Sequence, residues 1–175
     1  DVGSHTLDLA RFLFGEARSI YCRTQRVHKN IKGEDVATII LEMHNGMHVT
    51  VNLAYAANPL EREAFPETLI FVEGETGSAE LSPGCVLRTT TKRGTLVHRA
   101  PPPFYAWADP RYAVVHASIV PCNANLLAAL PRDGTAPAKG TAVAETTGDD
   151  NLRTVRLVFG AYASAASGKP VSLPE

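Results

Sequence analysis

The order of apolar and polar positions along the chain predicts one helix, then a series of strands, then further helices. Residues 2–14 carry apolar side chains at helical spacing, and Gly15 ends that pattern. One stripe of this helix holds Val2, Thr6, Leu9 and Leu13, and the next holds Asp1, His5, Asp8 and Phe12. Segments rich in β-branched or alternating apolar residues predict strands at 20–27, 36–43, 47–55, 68–73, 78–81, 85–91 and 95–100.

The pair Asn45-Gly46 is the strongest local turn signal and predicts a two-residue type I′ hairpin between the second and third strands. From Met47 to Tyr55, apolar residues alternate with polar or small ones, which predicts a strand with one solvent-exposed face and one buried face. Turns that contain glycine, at residues 74–77, 84 and 94, separate the later strands. Connections this short favour antiparallel neighbours.

Proline and acidic residues divide the last part of the chain into two predicted helices. Residues 101–103 are three prolines, and Asp109-Pro110 then resembles a helix cap with proline at the first helical position. The first helix has a broken apolar stripe and a proline expected to kink it; its stripe is Tyr112, Val115, Ile119, Leu126 and Leu130, and the proline is Pro121. The second opens at Asp149 and Asp150 and ends at Gly168 and Pro170, with an apolar stripe of Leu152, Val155, Phe159, Tyr162 and Ala166.

These elements predict an α+β fold, in which a large, mostly antiparallel sheet of about six or more strands carries helices packed on one face. The length of 175 residues fits a single domain spanning residues 1–175. The face of the sheet opposite the helices is expected to be apolar. Apolar faces of antiparallel sheets are commonly buried against another protein surface, so we expect this face to bind a partner subunit.

Composition narrows the classes of partner. The net charge is -1 and charges of both signs are interleaved along the sequence. No concentration of positive charge is therefore predicted that would attract nucleic acid or anionic lipid. No apolar run approaches about 18 residues and no secretion signal opens the chain, which predicts a cytoplasmic protein without a membrane partner. The three cysteines have no Cys-x-x-Cys spacing and are interpreted as free thiols.

Asp1 and His5 are the first candidates for chemistry. Four residues apart on a helix, they fall on one face, where a carboxylate fixes the tautomer of an imidazole and stabilises its charged form. Oxidation of an alcohol needs such a group to take the hydroxyl proton while hydride leaves the same carbon. The pair taken alone is equally consistent with a helix-terminal histidine and a capping aspartate.

Residues 1–15 supply more than this pair. Their pattern Asp-x-Gly-x-His-x-x-Asp, followed by a helix that ends in Phe-Gly, resembles the signature of the glucose-fructose oxidoreductase, inositol dehydrogenase and rhizopine-catabolism (Gfo/Idh/MocA) family. Residues 74–81, 151–165 and 168–171 resemble its turn-and-strand segment, closing helix and tail. The resemblance covers essentially the whole chain as the C-terminal domain of that family.

The resemblance implies an NAD- or NADP-dependent dehydrogenase that acts on a CH–OH group of a sugar, inositol or other polyol. It implies that His5 acts as acid or base on the substrate hydroxyl and that Asp1 supports it. It also implies an N-terminal Rossmann domain, which contributes a lysine to the site. No lysine of this sequence matches that one.

No Gly-x-Gly-x-x-Gly follows a predicted strand, so the phosphate-binding element of a Rossmann domain is absent from this sequence. The sequence also starts at Asp1 without an initiator methionine. We therefore expect a piece of a longer enzyme that binds no cofactor and has no activity alone. The particular substrate, the choice between NAD and NADP, and the choice between dimer and tetramer stay open.

The remaining polar candidates are weaker. His116 and Asn123 lie seven residues apart on a predicted helix, and His116 is the predicted substrate-binding residue. His44 and His48 flank the hairpin turn, but no third ligand is close in sequence, so no metal site is predicted. Two alternatives stay open: a non-catalytic ligand-binding or oligomerisation module of the same fold, and redox-assisted glycoside cleavage.

Overall fold

A computed structural model describes residues 2–54, 69–130 and 144–174. The chain divides into two compact units, the first formed by residues 1–57 and 146–175 and the second by residues 58–145. The elements are α1 (Val2–Phe14), β1 (Ala17–Gln25), β2 (Val36–Met43), β3 (His48–Ala54), β4 (Ile70–Gly74), β5 (Gly77–Ser82), β6 (Val86–Thr91), β7 (Gly94–Arg99), α2 (Ala113–Ala129), α3 (Gly148–Ser167) and β8 (Val171–Ser172). All strand pairs in these ranges are antiparallel, which confirms the α+β class.

The first unit is a four-stranded sheet, in the order β3-β2-β1-β8, with α1 and α3 packed against it. Its core is built from one face of the sheet and one side of each helix. The most deeply buried large side chains are Leu7, Ile20, Leu41 and Met43. Each fully buried side chain of this size contributes about 1.5–3 kcal/mol, so this layer is the main source of stability for α1.

The packing side of α3 consists of one leucine and four smaller residues. Its buried positions are Thr154, Leu157, Gly160, Ala161 and Ser164, and a Cβ added at Gly160 would lie 3.0 Å from Cγ2 of Ile20. Close approach to the sheet therefore requires glycine at this position. The apolar stripe predicted for this helix is not the side that packs against the sheet. Four of its residues are 44–69% exposed: Leu152, Val155, Phe159 and Tyr162.

The packing side of α1 also differs from the two stripes of the sequence pattern. Its buried residues are Leu7, Ala10 and Arg11, whereas Phe12 is 83% exposed. The ends of α3 agree with the prediction. Thr147 caps its first turn by accepting from Asp150 N–H, and Gly168 ends it with a φ of +69°.

The hairpin between β2 and β3 has a different turn from the predicted one. Gly46 has a φ of +85°, but the only non-glycine residue with positive φ in the described ranges is Cys85, so Asn45 is not left-handed. Gly46 N–H donates to Met43 O and Met43 N–H donates to Met47 O, which is the pattern of a three-residue loop with a glycine bulge. The Asn45 amide stabilises this form, since it accepts from Met47 N–H and donates to Phe14 O at the end of α1.

The second unit contains a four-stranded meander in the sequential order β4-β5-β6-β7. The predicted strands are thus shared between two sheets of four in the described residues. A short 3-10 turn, Pro110–Tyr112, precedes α2, and α2 continues through Pro121. By length and composition Pro110–Ala129 is apolar enough to cross a membrane, and none of it is buried within the described residues; a single helix of this kind is weak evidence for a membrane span.

Candidate active site

His5 lies near the start of α1 and is exposed. The start of the helix sits close to β3, because a Cβ added at Gly3 would lie 3.2 Å from Cδ1 of Leu53. The hydroxyl of Thr6 donates to Gly3 O across 3.1 Å, which adds a local bond to the first turn. The structure therefore presents the His5 imidazole to solvent on a helix whose backbone is fixed against the sheet.

Asp1, the predicted support for His5, lies outside the described residues. Its role stays a prediction. Asp8, which ends the signature, serves the packing of the helix: its Oδ1 accepts from the Thr154 hydroxyl and lies 3.4 Å from Nη1 of Arg11.

Arg11 is the most heavily bonded side chain of the signature helix, and the sequence analysis missed it. Its side chain is only 5% exposed. The guanidinium donates to Glu16 through Nε (3.0 Å) and Nη2 (2.8 Å), to Asp150 Oδ1 (2.9 Å) and to the Thr154 hydroxyl (2.6 Å). The signal in the sequence that indicates its burial is spacing: Arg11 lies four residues, about one helical turn, after the buried Leu7 and so falls on the same side of the helix.

The ion pair between Arg11 and Glu16 favours the charged form of both side chains. The hydrogen bond to Glu16 raises the pKa of Arg11, and the same bond lowers the pKa of the Glu16 carboxyl. Because Arg11 is on α1 and both Asp150 and Thr154 are on α3, a buried cation ties the two helices together. Arg11 is therefore one of the contacts that hold the helix carrying His5 in the first unit.

His116 is on α2, in the second unit, and is half-buried. Its ring meets the indole of Trp107 edge to face, with centroids 5.3 Å apart, and Trp107 in turn lies 5.4 Å from the ring of Tyr105. Asn123, the residue considered with it, is exposed. Tyr105 and Trp107 were not predicted as site residues, because they lie in an irregular segment with no periodic pattern.

Asp109 and Arg111 form an ion pair close to these rings in the chain. The Arg111 guanidinium donates to Asp109 Oδ2 across 2.6 Å, and the Arg111 N–H donates to Asp109 Oδ1 across 3.0 Å. The hydrogen bond from Arg111 lowers the pKa of Asp109 to about 2. Asp109 therefore caps the 3-10 turn Pro110–Tyr112, which has proline at its first position as predicted, whereas α2 itself begins after Tyr112 without a side-chain cap.

Other polar groups give no comparable arrangement. His44 and His48 are exposed beside the hairpin turn, and residues 2–54, 69–130 and 144–174 contain no group of three or more side chains suited to a metal. A shallow cleft of about 350 Å³ is lined by Glu16, His44, Arg153 and Arg156 with an apolar base of Leu157 and Leu173. It lies at the end of α1 that is remote from His5.

Comparison with known proteins defines the class. Residues 1–80 match the C-terminal domain of the GFO/IDH/MocA family. An antiparallel sheet with packed helices and the His5 signature on α1 are the features that the sequence resemblance implied. The resemblance to the Gfo/Idh/MocA family is therefore confirmed, and the family's C-terminal domain is matched over residues 1–80.

Within this class, the chain is similar to the D-apiose dehydrogenases of Rhizobium rhizogenes (39% identity over 99% of this chain) and Paraburkholderia graminis (40% over 99%). Among solved structures, it is similar to an oxidoreductase from Agrobacterium radiobacter in complex with NAD+, L-tartaric acid and magnesium, with 39% identity, 98% of this chain covered and a TM-score of 0.86. The chain spans 48%, 44% and 48% of these three proteins, about half of each.

Proposed function

We propose that this chain is the substrate-side half of an NAD-dependent dehydrogenase that oxidises a CH–OH group of a sugar, with D-apiose as the first substrate to test. The observation that carries the proposal is the exposed His5 on a signature helix that Arg11 holds in place. The similarity to D-apiose dehydrogenases and to an NAD+ complex supports the substrate and the cofactor.

In this proposal His5 accepts the hydroxyl proton while the C–H bond on the same carbon breaks, so that a carbonyl forms. The nicotinamide, when bound, supplies the hydride acceptor. This sequence has no Gly-x-Gly-x-x-Gly after a strand, so the residues that hold the dinucleotide are not among those described. We expect the chain alone to be inactive, and calorimetry with NAD or NADP should give no heat of binding. Micromolar binding would contradict the assignment.

The decisive experiment uses the full-length protein, in which this chain is joined to a nucleotide-binding half. His5→Ala should lower kcat with D-apiose by about 10²- to 10⁴-fold, the usual contribution of a positioned acid or base. Affinity for NAD should hardly change. His44→Ala, an exposed histidine of the same unit, is the matched control and should retain parent activity.

Two results would separate the proposal from its alternatives. A folded His5→Ala protein with near-parent turnover would assign the proton transfer to another group. Binding of sugar without any NAD reduction by the parent would favour the non-catalytic module.

We also propose a cytoplasmic homo-oligomer formed through the outer face of the first sheet. On that face Tyr21, Ile40 and Thr50 are cross-strand neighbours, and Ile40 is 44% exposed. An exposed aliphatic side chain between two hydroxyl-bearing neighbours suits a mixed interface. A molar mass equal to the monomer, measured by light scattering on the full-length protein, would refute this proposal.

A further inference from the structure

The segment between β7 and α2 carries a group of aromatic rings on the surface. Trp107 is 69% exposed, although its indole contacts Tyr105 on one side and His116 on the other. Trp107 is the only tryptophan of the sequence. A large aromatic ring that is held by neighbours and still faces solvent offers a flat, rigid contact surface at low cost in conformational entropy.

Fixed polar groups adjoin this surface in the chain. Asp109 lies two residues beyond Trp107, and its carboxylate is bonded to both the backbone and the side chain of Arg111. The Arg111 guanidinium also lies 5.9 Å from the centre of the Tyr112 ring. The segment thus combines aromatic area with an imidazole, a carboxylate and a guanidinium, which together donate and accept hydrogen bonds.

A sugar ring has surfaces that are complementary to these groups. One face of a furanose or pyranose ring is lined by C–H groups, and its rim carries hydroxyls that donate and accept. Binding sites for small ligands are typically lined by apolar and aromatic side chains, with a few polar groups that fix the orientation of the ligand.

We infer that Trp107, flanked by Tyr105 and His116, is the platform on which the second unit binds the ring of a sugar, with Asp109 and Arg111 contacting its hydroxyls. This inference rests on the proposed function for the choice of D-apiose. It assigns binding, not catalysis, to these residues.

The first test is steady-state kinetics of the full-length protein with D-apiose and NAD. Trp107→Ala should raise KM about 10-fold, which corresponds to about 1.4 kcal/mol, and leave kcat within about 3-fold of the parent. Trp107→Phe retains a ring and should recover most of the loss. Phe104→Ala is the matched control, because Phe104 is equally exposed (71%) in the same segment and should leave KM unchanged. An unchanged KM for Trp107→Ala would overturn the inference.

The second test remains decisive even where the parent oxidises no D-apiose and the proposed function fails. The single tryptophan allows the 175-residue chain to be titrated with D-apiose, D-xylose and D-glucose while its fluorescence is recorded. A saturable change that is absent with dimethyl sulfoxide, a neutral solute without hydroxyls, would support the platform. No saturable change with any of the three sugars would refute it, and the indole would then be a contact for another polypeptide surface.

Discussion

Replacing Arg11 by alanine tests whether the buried cation holds the signature helix in place. The change removes the shared partner of Asp8, Glu16 and Asp150. Removing one member of a buried ion pair costs about 3–5 kcal/mol, because the other charge is left uncompensated. The three carboxylates here are 41–45% exposed and can recover water, so the lower end, about 3 kcal/mol, is expected. For a chain of this size that loss lowers Tm by about 6–12 °C.

The assay is thermal denaturation of the chain followed by near-UV circular dichroism at pH 7. Arg11→Lys keeps the charge but loses the bidentate fork, so its loss should be intermediate. Arg153→Ala is the control, because Arg153 also pairs with Glu16 but is 60% exposed, and its loss should be within about 1 kcal/mol. A Tm for Arg11→Ala within about 2 °C of the parent would refute the reasoning.

The same variant should change the acid sensitivity of the protein. The bond to Arg11 lowers the pKa of Glu16, so Glu16 stabilises the fold above its ordinary pKa, about 4.3, and this contribution is lost as the pH falls below it. Arg11→Ala should therefore lose less stability than the parent on acidification from about pH 5 to pH 3. An equal loss in both proteins would count against the pairing.

Two further predictions concern buried polar groups of the first unit. The Ser164 hydroxyl accepts a hydrogen bond from Cys22 N–H and donates one to Lys169 O. Ser164→Ala should therefore lower the free energy of unfolding, measured with urea, by about 1–3 kcal/mol at an unchanged m value. A loss below about 0.5 kcal/mol would show that water replaces the hydroxyl. Asp35 accepts from Val27 N–H and His28 N–H, and these bonds lower its pKa to about 2. Its stabilising effect is present above the ordinary pKa of about 3.9 and is lost as the pH falls towards 2. Asp35→Asn should flatten the stability profile between these pH values, and an unaltered profile would contradict the assignment.

The strands and helix ends were predictable because their signals are local. The Asn45-Gly46 turn signal placed a strand at 36–43, which matches the observed bounds of β2, and a glycine after the last periodic residue predicted the end of α3. The turn at Asn45 was predicted incorrectly because its amide makes a bond to Phe14, a residue that the pair Asn-Gly does not specify.

The packing faces and the Arg11 network were not predictable from local pattern. Periodicity finds the side of a helix with the largest apolar residues, whereas α3 packs through Gly160 and Ser164 because the sheet lies so close. The partners of Arg11 on α3 are 139 and 143 residues away in sequence. The exposed indole of Trp107 has no periodic context, so only the three-dimensional arrangement of its neighbours identifies it.

The first unit is assembled from the two ends of the sequence, with residues 58–145 between them. During synthesis β1 can pair with β2 early, because the two strands are close in sequence. The other edge of β1 stays unpaired until β8 has been synthesised and Leu173 N–H can donate to Arg18 O. Until then the nascent chain carries an unpaired strand edge, a known starting point for aggregation. Since loop-closure entropy grows only with the logarithm of length, the intervening segment can lengthen or shorten during evolution at small cost to this unit. Loss of the last few residues would be costly, because it would reopen the edge of β1 permanently.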